Sequence, residues 1–167
     1  ISQMLAEEKI RHRICSPSSL AMAVSKIKGL TDIEANTVWK KLITLCYDLN
    51  INAYGSWPKA IYAASTFGVL GGIEAHADFE SAEKCLELGQ PVVCSIDYAK
   101  GKLRGAPLAS TKGHLVTLIG IEDEQILVMD PAAPEKSSIA REYDRKEFED
   151  AWLRNRGAGY YFCVTSE

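Results

Sequence analysis

The amino-acid sequence predicts an α+β fold in which N-terminal helices pack on an antiparallel sheet. Helical periodicity and helix caps dominate up to about residue 66, whereas after residue 90 the apolar residues gather into short runs of strand length. Two of those runs, 114–121 and 126–129, flank the acidic turn Glu122-Asp123-Glu124 and read as a hairpin.

The elements follow in order. Over residues 16–28, Leu20, Val24 and Ile27 recur at helical spacing, with Ser16 placed to cap, Pro17 at the first helical position and Gly29 as the stop. Thr31 opens a second helix, because Glu34 three residues on completes a capping box, and Ala35, Val38, Leu42 and Leu45 share one face. After the Gly-Ser-Trp-Pro turn, residues 58–66 are helical again. Residues 71–77 read as a strand, and Asp78 caps a helix running to about Leu88. Gln90 and Pro91 then interrupt, and 92–96 is an apolar strand. A loop rich in Gly, Pro, Ser and Lys covers 99–113. Asp144 and Glu147 form another capping box for a helix to about Asn155, and 160–164 is the last strand.

The composition bounds the function. A chain of 167 residues is within the usual range for one compact domain, so residues 1–167 are read as one. It opens at Ile1 without an initiator methionine, as an excised or processed domain does, so targeting is not legible. No apolar run approaches the roughly 20 residues of a membrane helix. Nineteen basic against 22 acidic side chains give a net charge of -3, and no basic stripe is interleaved with aromatics. Nucleic acid is therefore not an expected partner. Lys9, Arg11, His12 and Arg13 read as a solvated segment ahead of the first helix.

Of the five cysteines, none forms a CxxC pair, which argues against structural zinc. Cys46, Cys85, Cys94 and Cys163 sit among apolar residues and read as small buried hydrophobes. Cys15 differs, because Ser-Pro-Ser-Ser follows it at the start of the first helix. Unpaired N–H groups and the positive dipole end there favour the thiolate, the reactive form of cysteine, and suit an oxyanion. His114, at the mouth of an apolar strand, has the chemistry of a general base and, once protonated, of a counter-ion to a thiolate. Asp130 ends the partner strand of the hairpin ahead of Pro131, which brings a carboxylate near His114 to fix its tautomer.

Other candidates read as structural. His12 and His76 are placed at the surface, Trp57 between helix and sheet, and Gly71-Gly72 in a turn, since no GK[ST] follows to make a phosphate loop.

The segments ICSPSSLAMAV around Cys15, GHLVTLIGI at His114, VMDPAAP at Asp130 and YGSWPKAIYAAS around Trp57 resemble papain-like cysteine peptidases of the bacteriocin-leader-processing type, in particular the stand-alone bacterial branch. The resemblance runs from Gln3 to about Phe162. It implies a papain-like fold, a Cys-His-Asp triad at Cys15, His114 and Asp130, and a glutamine before the cysteine that helps bind the oxyanion. Gln3 is the only glutamine upstream of Cys15, separated from it by eleven residues, so the Lys9–Arg13 segment must loop out. The implied reaction is cleavage of a peptide bond through a thioester, with a peptide or protein substrate and no metal or organic cofactor. An acyltransferase with the same triad and a non-catalytic peptide-binding domain are the alternatives. A double-glycine leader is the family's best-known target, though no residue here ties the chain to it, and the resemblance implies a bacterial cell-envelope or secreted location.

Overall fold

In a computed structural model of the chain, residues 1–163 are described. Three helices come first: α1 (Cys15–Lys28), α2 (Asp32–Cys46) and α3 (Trp57–Ser65). Then follow β1 (Gly71–Glu74), α4 (Phe79–Glu87), β2 (Val92–Tyr98), β3 (Thr111–Glu122), β4 (Gln125–Met129), β5 (Ala140–Asp144), α5 (Arg145–Trp152) and β6 (Ala158–Phe162). The strands form one antiparallel sheet in the order β1-β6-β2-β3-β4-β5. No described helix is long and apolar enough to cross a membrane.

Local signals act as their chemistry dictates. Gly29 adopts a left-handed φ of 61° and ends α1. The Thr31 side chain accepts from the Glu34 N–H while the Glu34 carboxylate accepts from the Thr31 N–H, so α2 starts on a full capping box. Asp78 and Asp144 cap α4 and α5 by accepting from Ser81 and Glu147 N–H. β3 and β4 form the expected hairpin, pairing from Glu122↔Gln125 up to Thr117↔Met129.

The sheet is covered on both faces, where the sequence suggested a single helical layer. On one side Leu20, Val24, Trp39, Leu42 and Ala63 pack with Val93, Leu115, Tyr160 and Phe162. On the other, Ala82, Phe148, Ala151 and Trp152 pack with Val92, Cys94, Ile96, Val116 and Leu118. Successive residues of β2 thus face opposite cores, and a strand buried on both faces must be apolar without alternation. That is the reason for the run Val92-Val93-Cys94-Ser95-Ile96. Gly159 makes the central pairing possible, since a Cβ there would lie 2.6 Å from the Val93 carbonyl oxygen.

Several boundaries differ from the sequence reading. α1 begins one residue early, with Ile14 at the cap, so Ser16 is not a cap but a buried residue whose hydroxyl meets that of Tyr160 at 2.9 Å. β5 was not foreseen, because in Ala-Arg-Glu-Tyr-Asp only Tyr143 is buried and an edge strand gives a weak pattern. β1 stops at Glu74 and α5 at Trp152. Val164, the expected end of the last strand, lies outside the described residues. Of the cysteines expected to be buried, Cys46 and Cys94 are, but Cys85 is half-buried on α4, and Cys163 is exposed just past β6.

Candidate active site

The start of α1 is drawn into the fold through its serines. Ser16 to Val24 are all buried, so each hydroxyl must find a partner. Ser18 accepts from Trp39 Nε1 at 2.9 Å, tying α1 to α2. Ser19 donates to the Leu115 carbonyl at 2.7 Å, and Thr117 donates back to the Ser19 carbonyl at 2.9 Å, tying α1 to β3. Cys15, one turn before Ser19, is half-buried as a residue.

β3 and the end of β4 deliver the other two groups. His114 is 2% exposed and Asp130 is fully buried. The ring Nε2 lies 2.8 Å from Asp130 Oδ1, which leaves Nδ1 as the ring nitrogen not engaged by the carboxylate, and Cys15 and His114 are close enough to act on each other's titration. Asp130 is itself held: its Oδ1 also accepts from the Ala132 N–H at 2.9 Å, and its Oδ2 accepts from the Tyr143 hydroxyl at 2.9 Å.

Burial opposes charge on all three groups, and mutual pairing overcomes it. At Cys15 burial pushes the pKa up, but the bond to His114, its charge and backbone groups of Leu115 and Ser16 bring it below the ordinary thiol value. At His114 burial acts downward, and Asp130 followed by Cys15 lifts the imidazolium well above the usual range. At Asp130 burial acts upward, and His114, Ala132 and Tyr143 hold the carboxylate below its usual value. The arrangement therefore favours a thiolate–imidazolium pair braced by a carboxylate.

Gln3 sits in a short 3₁₀ turn, Gln3–Leu5, whose N–H donates to the Pro131 carbonyl at 2.9 Å. Ser2 donates to the Ala133 carbonyl, so both residues are fastened to the loop that follows Asp130. The segment between Gln3 and Cys15 closes in tight turns, with Ile10 and Arg11 N–H bonded to Glu7 and Arg13 N–H to Ile10. Those turns absorb the eleven-residue spacing. The Gln3 side chain is buried, and its Oε1 has no partner among the described residues.

His12 and His76 are exposed and take no part. Trp57 packs edge-on against Tyr160, 6.4 Å between ring centres. Sequence reasoning missed Tyr143 and Ser19. The serine run after Cys15 was the visible trace of one, since three serines in a buried helix need partners; Tyr143 carried no signal because its strand was not recognised.

Helices packed on a six-stranded antiparallel sheet, with a cysteine at the start of the first helix, define a papain-like class of fold. Residues 1–160 match the model of the Peptidase_C39 like family, and the chain belongs to that family. No curated protein matches the sequence. Among solved structures, the chain is similar to a Bacillus anthracis protein designated a C39-like peptidase, with a TM-score of 0.65 and 17% identity over 100% of this chain and 95% of that one. It is similar to the peptidase domain of Streptococcus ComA, described as a bifunctional ABC transporter of a quorum-sensing pathway (TM-score 0.62, 18% identity, 92% of this chain and 93% of that one). It is also similar to a double glycine motif protease from an AMS/PCAT transporter, solved with a leader peptide (TM-score 0.59, 16% identity, 91% and 85%). At these identities the likeness is one of fold.

Proposed function

We propose that the chain is a thiol hydrolase that cleaves a peptide bond, with Cys15 as nucleophile, His114 as acid and base, Asp130 orienting the histidine and Gln3 assisting at the oxyanion. The observation that carries this reading is the buried His114–Asp130 pair beside half-buried Cys15, whose thiol pKa is lowered by the histidine. The Cys15 thiolate attacks the carbonyl carbon, forming the C–S bond and an oxyanion. In this reading the Cys15 N–H at the helix start and the Gln3 side-chain amide donate to that charge. The intermediate collapses as His114 gives its proton to the leaving nitrogen and the C–N bond breaks. Water then attacks the thioester, His114 takes its proton, and the thiolate leaves. A peptide occupant fits the fold of relatives described as peptidases, one of them solved with a leader peptide.

The test is to treat the protein with substoichiometric iodoacetamide at neutral pH and locate the adduct by mass spectrometry. Rapid labelling confined to Cys15 and lost in His114→Ala is expected, together with cleavage of a peptide substrate that Cys15→Ser abolishes. Slow labelling spread over the five cysteines points instead to a peptide-binding module.

A further inference from the structure

Seven arginines are present, and most are answered by a carboxylate: Arg11 by Glu8 at 3.3 Å, Arg104 by Glu147 at 2.5 Å, Arg145 by Glu83 at 3.4 Å and Arg154 by Asp150 at 3.0 Å. Among the described residues Arg13, Arg141 and Arg156 have none; Arg13 is near Cys15 in the chain, and Arg156 touches the residues just before His114. Arg13 lies two residues before Cys15. Its Nη2 donates to Asn52, backbone oxygen and Oδ1 both, and its Cζ is 5.6 Å from the centre of the Tyr54 ring. Arg156 approaches from the histidine side. Its Nη2 donates to the Lys112 carbonyl, and a Cβ on Gly113, the residue before His114, would be only 3.0 Å from that nitrogen.

From this we infer that the cleft across Cys15 and His114 takes peptides with acidic side chains close to the scissile bond, held by Arg13 on one rim and Arg156 on the other. The inference deepens the peptidase reading and rests on it. Each guanidinium is fixed through one nitrogen and is exposed, so its remaining N–H groups present a preset fork of the geometry that suits a carboxylate. Ordering a free arginine is a large part of the cost of such a contact, and here it is already met. No carboxylate among the described residues is within ion-pair distance of Arg13 or Arg156, and Asp97 lies 3.8 Å from Lys112 and answers that lysine. On a chain whose net charge is -3, two guanidiniums without a carboxylate partner are local exceptions. That overall charge also disfavours a polyanion as occupant.

The experiment digests a random peptide library with wild type and with the double variant Arg13→Gln/Arg156→Gln, reading cleavage sites by mass spectrometry. Enrichment of Asp and Glu within three residues of the cut bond is expected for wild type, with most of it lost in the variant. Enrichment of basic or neutral residues, or acidic enrichment that survives the substitutions, overturns the inference. A second readout needs no proteolysis. The ratio of Cys15 alkylation rates by iodoacetate, an anion, and iodoacetamide, its neutral analogue, should fall about threefold for each arginine removed. In wild type it should also fall as salt rises. A ratio indifferent to both overturns the inference. If wild type cuts nothing, the peptidase reading fails, and the alkylation ratio then decides the arginine inference alone.

Discussion

The Ser19 hydroxyl donates to the Leu115 carbonyl at 2.7 Å, one helical turn from Cys15 and one residue from His114. This bond sets the distance between the helix that carries the thiol and the strand that carries the imidazole. Thr117 returns a bond to the Ser19 carbonyl, so the helix is clamped in both directions. Ser19→Ala removes the clamp's first half at a fully buried position. It should cost about 1 kcal/mol of stability by urea unfolding. Because the Cys15 pKa is lowered by a neighbour whose approach the clamp fixes, it should also rise, which the pH dependence of alkylation reads directly.

Tyr143 supports the carboxylate. Its hydroxyl donates to Asp130 Oδ2 at 2.9 Å, and its ring stacks on Phe148 with centroids 6.1 Å apart. Tyr143→Phe keeps the stacking and deletes the donor. The Asp130 pKa, held down in the fold, should move up toward its ordinary value. A depressed carboxylate pKa contributes stability above the unfolded value of about 3.9, and that contribution is lost as pH falls through the folded value. Tyr143→Phe should thus cost about 2 kcal/mol at neutral pH, the scale of a hydrogen bond to a charged group, with the deficit shrinking in acid. Denaturant titrations at pH 7 and pH 3 measure both.

Much of this was legible in the sequence, for identifiable reasons. Thr31 with Glu34, and Gly29, act within a few residues, so they need no tertiary knowledge. The hairpin that joins His114 to Asp130 was visible because its two apolar runs flank a short acidic turn. The second helical layer was not, although Val92-Val93-Cys94 already implied it: an unbroken apolar strand is buried on both faces. Ser16 misled, since serine before proline reads as a cap, while the hydroxyl serves a long-range partner, Tyr160. Tyr143 reaches Asp130 and Arg156 reaches Lys112 from distant sequence, and no local pattern announces a contact across 13 or 44 residues.

The thiolate–imidazolium pair has a signature in the pH dependence of stability. The raised His114 pKa contributes stability fully present below the unfolded value of about 6.5 and lost as pH rises through the folded value. The lowered Cys15 pKa contributes stability present above the unfolded value of about 8.5 and lost as pH falls through the folded one. At those pH values between the two unfolded values, about 6.5 and 8.5, that lie above the folded Cys15 value, the proton His114 gains on folding balances the one Cys15 loses, so the pair leaves stability nearly flat. Cys15→Ala breaks the balance, because Asp130 still keeps His114 charged. Its stability should fall by about 1 kcal/mol per pH unit across that window. Reactivity gives a parallel check: the pH profile of wild-type Cys15 alkylation lies below the ordinary thiol range, whereas in His114→Ala burial acts unopposed and the profile shifts above it. Cys46, its thiol pushed up by burial to about 12, should stay silent throughout.

Gln3 separates catalysis from stability. Its backbone is fastened to Pro131, but its buried Oε1 has no partner among the described residues, so the side chain adds little to the fold. Gln3→Ala should therefore leave the unfolding midpoint unchanged or slightly raised, since it removes an unsatisfied polar atom from the interior. Its role in the proposed reaction is confined to the oxyanion, which exists only after Cys15 attacks. The loss should then fall on kcat, by about a hundredfold, with KM little altered, as expected when one oxyanion donor is removed. Gln3→Glu tests the same point by sign: a carboxylate facing the developing negative charge should lower kcat at least as far as alanine does. A variant that loses stability and KM together, with kcat preserved, assigns Gln3 to the fold and leaves the oxyanion to the start of α1.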